Sequence, residues 1–244
     1  MNRLDEVWKK EDLARGFLEH VRSAIPMARE QIDIMLKVIA SRVPAECSFI
    51  DLGCGDGILG RAVHAMYPKS TGYFLDFSQP MIDAAREKAG PADDRLHFLI
   101  SDYAHPDWTA GVRDAAPFDL IISGFSIHHQ PDERKRAIYQ EIYALLKPGG
   151  LFLNLEHVAP SSPWAEAVSD QLFIDSLWEF EQKRASGRTR EEVATEWLGR
   201  ADRAANLLAP LDDQCEWLRQ AGFSDVDCYF KVLELALFGG IKPR

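Results

Sequence analysis

The feature that most constrains this chain is the run Phe49-Ile50-Asp51-Leu52-Gly53-Cys54-Gly55-Asp56-Gly57-Ile58-Leu59-Gly60. A short apolar strand passes into a glycine-rich turn and then opens an amphipathic helix. Glycine tolerates positive φ and lets a ligand lie against bare backbone. In open α/β sheets such a first turn sits at the carboxyl edge, where ligands bind. The same apolar alternation recurs downstream. Strands are predicted at Ser48–Leu52, Gly72–Asp76, Leu96–Ile100, Asp119–Ser123 and Leu151–Glu156. Helical patterns lie between them near Ile58–Met66, Met81–Lys88 and Glu133–Leu146. Strand and helix in strict alternation imply right-handed βαβ units and a parallel sheet covered on both faces.

The alternation stops after Glu156. Residues 160–210 read as polar helix with scattered aromatics, and a helix over Asp213–Ala221 is closed by Gly222. Two further strands, Asp225–Lys231 and Leu233–Ile241, follow almost without a gap, which requires an antiparallel hairpin. The predicted fold is α/β: a Rossmann-like, mostly parallel seven-stranded sheet with helices on both faces and an antiparallel C-terminal hairpin. A helical lid is expected from the N-terminus and an insertion. The expected divisions are an N-terminal helical lid at 1–45, the core at 46–158, a helical insertion at 159–211, and a final helix with the hairpin at 212–244. In the N-terminal part, Ile32, Met35, Leu36 and Ile39 fall at helical spacing.

Bulk properties exclude several classes. No run of about 18 apolar residues exists to span a membrane, and the acidic N-terminus lacks the apolar core of a signal peptide. A net charge of −10 opposes a nucleic-acid surface. Cys47, Cys54, Cys215 and Cys228 share no C-x-x-C spacing, so no metal site is expected, and the reduced thiols fit the cytoplasm.

Acids recur along the ligand edge. Gly55–Gly60 spells G-x-G-x-x-G and Asp76 follows at the distance used by dinucleotide-binding folds. Yet Asp51 and Asp56 flank the glycines, where they would repel a diphosphate and suit a cationic ligand. Asp76 can accept both hydroxyls of a ribose, or cap the helix starting near Pro80. Asp102 can accept an adenine amine, or cap a turn. On the same edge, Ser123-Gly124-Phe125-Ser126-Ile127-His128-His129 follows the fourth strand. An imidazole there could deprotonate an acceptor, or one ring could buttress the loop while the other is solvated.

Taken together, Asp51–Gly57, Asp76, Ser101-Asp102, Phe118–Ser123 and Leu146-Lys147-Pro148-Gly149-Gly150 resemble the class I S-adenosylmethionine-dependent methyltransferases, over roughly Cys47 to His157. The resemblance implies S-adenosylmethionine as cofactor, with S-adenosylhomocysteine as its product, and methyl transfer to a small molecule. It sets Gly53 and Gly55 against the methionine part, Asp76 on the ribose, Asp102 near adenine, and Phe77 and Met81 in the adenosine pocket. Asp51, Cys54, Ser101, Tyr103, Ser123 and Phe125 complete the expected cofactor residues. Cys54 is expected to act as a small packing residue rather than a nucleophile. His128 and His129 are the catalytic candidates, and Trp178 and Arg200 the lid contacts to substrate. The segment Gln171–Lys242 is also similar to carboxy-S-adenosylmethionine synthase and its relatives, in which an arginine, at Arg200 here, holds the cofactor's carboxylate. That subgroup has a serine-containing glycine loop, unlike Gly53–Gly57. Carboxyl transfer, a tRNA-modification-related enzyme, a non-catalytic binder of the cofactor and a nicotinamide oxidoreductase are the competing readings. A small molecule is the expected partner, with nucleic acid not expected as a direct partner, no membrane, and a homodimer allowed.

Overall fold

The computed structural model describes residues 3–9 and 24–244. Its centre is a seven-stranded sheet in the order β3-β2-β1-β4-β5-β7-β6. The strands are β1 (Ser48–Leu52), β2 (Thr71–Asp76), β3 (Leu96–Ile100), β4 (Phe118–Gly124), β5 (Leu146–His157), β6 (Ser224–Val232) and β7 (Leu235–Ile241). All neighbours through β5 pair in parallel, whereas β7 runs antiparallel to both β5 and β6. The chain winds outward from β1 to β3, then returns to place β4 on the other side of β1. That reversal opens a crevice at the carboxyl ends of β1 and β4, where doubly wound sheets bind ligands.

Alternate strand residues divide between two cores. Ile50, Leu52, Ile121 and Phe152 face one side, under α4 (Asp132–Leu145) and α7 (Leu211–Ala221). Phe49, Phe74, Leu120 and Ile122 face the other, under α1 (Ala28–Ala40), α2 (Ile58–Met66) and α3 (Gln79–Ala89). Burial on both faces explains why the strands read as continuous apolar runs. The bounds read from sequence agree for β1, β3 and α2. Most others differ by one or two residues, and the largest difference is in β5, which begins at Leu146 rather than Leu151. Its register against β4 shifts between Phe118 and Leu120, so Lys147–Gly150 forms an irregular stretch whose turn-like composition hides its pairing.

The insertion forms α5 (Pro163–Lys183) and α6 (Arg190–Gly199), which pack on each other and return to the core through a 3-10 turn at Ala201–Ala205. Ser162 caps α5 by accepting the Ala165 N–H, and Thr189 with Glu192 forms a capping box on α6. Phe173 stacks on Trp197 at 4.6 Å, and the Trp197 indole donates to Asp170 at 2.8 Å. These contacts lock the pair of helices together. The N-terminal part differs from the expected lid. Helix α1 buries Met35 and Ile39 in the core and packs against α2 and β6. Of the N-terminal residues described, Arg3–Lys9 reach the carboxyl edge; residues 10–23 of the expected lid lie outside the described residues.

Phe152 is fully buried between Tyr139 and Phe223. Phe152→Ala is expected to cost about 3–5 kcal/mol in urea unfolding, and a cost below about 1 kcal/mol would contradict this account of the core.

Candidate active site

The glycine loop is held open by two carboxylates. Asp51, in β1 and almost wholly buried, accepts the Gly60 N–H at 2.8 Å, satisfying one of the orphan donors at the start of α2. Asp76, ending β2, accepts the Gly55 N–H through one oxygen and the Ser78 N–H through the other, each at 2.9 Å. One Asp76 oxygen thus serves the turn into α3, and the other ties the loop. Burial pushes the Asp76 carboxyl up to about 6, against the backbone donors of Ser78, Gly55 and Phe77.

Between these ties the backbone is bare. Gly53 has φ +66°, and a Cβ there would fall 1.8 Å from the Ser126 hydroxyl. Gly55 has φ +55°, and a Cβ there would meet nothing within 4 Å. One glycine is needed for close packing, and the other faces open space beside Asp76. Cys54 is buried in the core and its N–H donates to Leu75 O at 2.9 Å; burial first, then the charges of Asp76 and Asp51, push its thiol well up. It is a packing residue, as expected. Asp56 is ion-paired. Lys88 at 2.9 Å and Arg61 at 3.9 Å pair with it, while its charge still acts on Cys54 in the loop.

The other expected cofactor residues converge on the same edge. Ser123 donates from its hydroxyl to Leu52 O at 2.8 Å, pinning the ends of β1 and β4. Phe125 adopts φ +50°, a conformation costly for a non-glycine residue and typical of functional turns. Tyr103 is buried and donates to Ser126 O at 2.9 Å, while Ser101 donates to Trp108 O at 3.3 Å. Met81 is buried in α3, and Phe77 lies half-buried beneath the Arg3 and Lys9 cations. Asp102 accepts Arg3 at 2.7 Å and the Ala104 N–H at 3.0 Å. Burial is the largest influence and opposes its ionisation, but the Arg3 bond and charge, the Ala104 N–H and His105 together hold the carboxyl below its ordinary range. Ile100, at the end of β3 and paired with Asp76, is 54% exposed beside these acids.

The two histidines differ in kind. His128 is buried, its Nδ1 2.5 Å from Glu156 and its ring also bonded by the Asn206 side chain. Burial, then His157 and Lys135, keep its ring neutral by pushing its pKa well down. His129 is half-buried, and its Nδ1 faces Ala205 O at 3.0 Å. Glu156 is the residue that sequence reasoning missed, although an acid inside the apolar run of β5 signalled it. It accepts the His128 and His157 backbone N–H groups at 3.0 and 2.9 Å, and burial pushes its carboxyl up to about 7. Of the lid candidates, Arg200 stacks its guanidinium 3.5 Å from the Trp197 ring centroid and donates to Trp197 O. Trp178 is half-buried on α5, whereas Phe173 is the α5 aromatic beside the sheet, 5.9 Å from the His157 ring.

Together the crevice, the glycine loop and the acids ending β2 and β3 define a nucleoside-cofactor site of the Rossmann-like type. Comparisons with known proteins specify it further. A family model described as a methyltransferase domain matches residues 49–150. Carboxy-S-adenosyl-L-methionine synthase of Chromohalobacter salexigens is 28% identical over 95% of this chain and 82% of its own length. Trans-aconitate 2-methyltransferase of Methylobacterium radiotolerans is 33% identical over 54% of this chain and 52% of its own. Human N-acetylserotonin methyltransferase, solved with S-adenosylmethionine, shares the fold at a TM-score of 0.64 and 17% identity; the likeness covers 100% of this chain, which spans 59% of that one. Residues 49–150 thus resemble a methyltransferase domain, and the chain is an enzyme that uses S-adenosylmethionine. Among the described residues no cluster of His, Cys, Asp or Glu is placed to hold a metal ion, and no helix is long and apolar enough to cross a membrane.

Glu156 gives a signed prediction. The folded protein holds its proton up to about 7, while the unfolded chain releases it near the ordinary 4.5. This group's contribution to stability is therefore present at low pH and is lost as pH rises through that window. Glu156→Gln is expected to gain stability relative to wild type between about pH 5 and about pH 8 in urea unfolding. Parallel pH profiles for the two proteins would contradict the assignment.

Proposed function

We propose that this enzyme transfers the methyl group of S-adenosylmethionine to a small-molecule acceptor bound between the α5–α6 lid and the histidine pair. The observation that carries the reading is that Ser126 packs against bare Gly53 and leads into the turn that bears His129, one of whose ring nitrogens is committed to a carbonyl. Gly53 and Gly55 would border the methionine part, Asp76 the ribose, and Asp102, Phe77 and Met81 the adenosine. Open space at Gly55 and the carboxylate beside it fit such a ligand. Bound there, the cofactor supplies a methyl on a cationic sulfur, which an aligned lone pair takes by direct displacement to leave a neutral thioether.

The residues then have three tasks. The lid and Arg3–Lys9 exclude water, which strengthens the polar contacts within. The loop and the strand ends fix the angle of attack, a contribution worth about 7–11 kcal/mol when alignment is good. His129 accepts the acceptor's O–H or N–H as a hydrogen bond. Burial, then His128, hold the His129 ring down at about 3, so it is neutral at working pH. A freshly methylated, positively charged oxygen is far more acidic than an imidazolium, so even this weak base takes the proton. The division into an N-terminal strap, core, insertion and final hairpin supports that use of the edge. A cytoplasmic enzyme acting without nucleic acid fits the charge of −10.

One observation favours a second reading. Relatives named carboxy-S-adenosyl-L-methionine synthase match over 95% and 94% of this chain, lid included. Arg200, whose charge reaches the His128 ring, lies in that lid. Mass spectrometry after incubation with the cofactor and a panel of small hydroxy, amino and carboxylic acids separates the outcomes. S-Adenosylhomocysteine with a methylated acceptor is expected. A carboxylated cofactor would select the second reading, and cofactor that binds yet is returned unchanged by every acceptor would sink both.

Two variants test the roles. His129→Ala is expected to lower kcat by about 10²-fold with cofactor affinity unchanged, and an undiminished rate would remove its role. Asp76→Asn is expected to weaken cofactor binding about tenfold in calorimetry. Wild-type affinity is expected to fall as pH drops through about 6, where Asp76 takes up its proton, while the variant stays flat. Equal affinity and equal pH dependence in the two would overturn the ribose assignment.

A further inference from the structure

The segment Ala205–Leu207, where the insertion rejoins the core, is stitched to both histidines. Ala205 O faces His129 Nδ1 at 3.0 Å, the Leu207 N–H donates to His128 O at 2.9 Å, and the Asn206 side chain bonds the His128 ring. Beneath it lies Lys135 of α4, whose side chain is fully buried. Its ammonium donates to Leu207 O and to Asp132 at 2.8 Å. Burying a lysine is costly unless its donors are met, and here one donor is committed to the backbone of the lid's end. A carbonyl oxygen can only accept, so the His129 nitrogen facing Ala205 must carry the proton. The lone pair then falls on Nε2.

We propose that Lys135 and the Ala205–Leu207 segment are positioning elements that set the tautomer of His129, so that docking of the lid leaves Nε2 free to accept the substrate's proton. This rests on the role given to His129 above, but adds to it. The lid both covers the acceptor and prepares the ring that receives its proton. A lid displaced by even one ångström would release Nδ1 from its carbonyl. The ring could then protonate on Nε2, facing the acceptor with a donor where an acceptor atom is needed. Lys135 acts through the segment and touches no reacting atom. Facing His129 are Asp5 of the N-terminal strap, His128 and Glu156; facing His128 are Glu156, His157, Lys135 and Arg200.

Nuclear magnetic resonance of the full chain with nitrogen-labelled histidine reads the tautomer directly. Wild type is expected to show His129 protonated on Nδ1; protonation on Nε2 would overturn the proposal without any variant. In Lys135→Met the proton is expected to divide between the two nitrogens, and kcat to fall about tenfold while cofactor affinity holds. An unchanged His129 tautomer in that variant would also overturn it. Asn206→Ala, which leaves the buried lysine in place, is expected to shift the His128 resonances and spare those of His129. Unmoved His128 resonances would refute its part in the hold. The proton-accepting role is judged separately. A His129 tautomer that depends on Lys135, combined with an undiminished rate in His129→Ala, would keep this inference and remove that role.

Discussion

The site depends on two carboxylates that accept backbone N–H groups of one glycine loop. Asp51 reaches forward from β1 to the first turn of α2, and Asp76 reaches across from β2 to Gly55. Charge-assisted bonds of this kind are the stronger class of protein hydrogen bond. They keep a run of positive-φ residues from collapsing onto the sheet. Gly53 can then press against Ser126, while Gly55 stays open at the crevice. The same geometry that terminates the strand produces the cradle.

Asp51 and Asp56 look alike in sequence, yet neither simply points its charge at a ligand. The first serves the helix start, and the second pairs with Lys88 and Arg61. Asp76, ending β2, and Asp102, just beyond β3, are the other two acids at this edge. Both are partly engaged already, Asp76 by the loop and Asp102 by Arg3. Carboxylate oxygens carry more than one acceptor site each, so ribose and adenine can share them with the protein. Behind the histidines a buried polar chain runs from Glu156 through Asn154 and Tyr139 to Gln214. It ties the edge of β5 to α7 and gives the site a rigid back wall.

Much of this was legible in the sequence. The bounds of β1, β3 and α2, the hairpin of β6 with β7, and the acid at the end of β2 follow from periodicity and from residues with few structural alternatives. What escaped is long-range. Lys88 meets Asp56 from 32 positions away, and Leu207 meets Lys135 from 72. No local pattern encodes such pairs. The start of β5 was hidden because Pro148, Gly149 and Gly150 speak for a turn, while tertiary pairing with Lys242 draws them into the strand. The lid could be placed but not oriented. Phe173 and Trp197, rather than Trp178, form its stacked pair, a choice made by helix phase against the sheet.

The central claim is that the cradle at Gly53–Gly55, with Asp76 beside it, receives the adenosyl cofactor. A crystal structure of the protein with S-adenosylhomocysteine tests this most directly. The account predicts both ribose hydroxyls on Asp76 and the thioether over Gly53, within reach of His129. A nucleoside bound elsewhere, or a ligand whose ribose leaves Asp76 untouched, would contradict it.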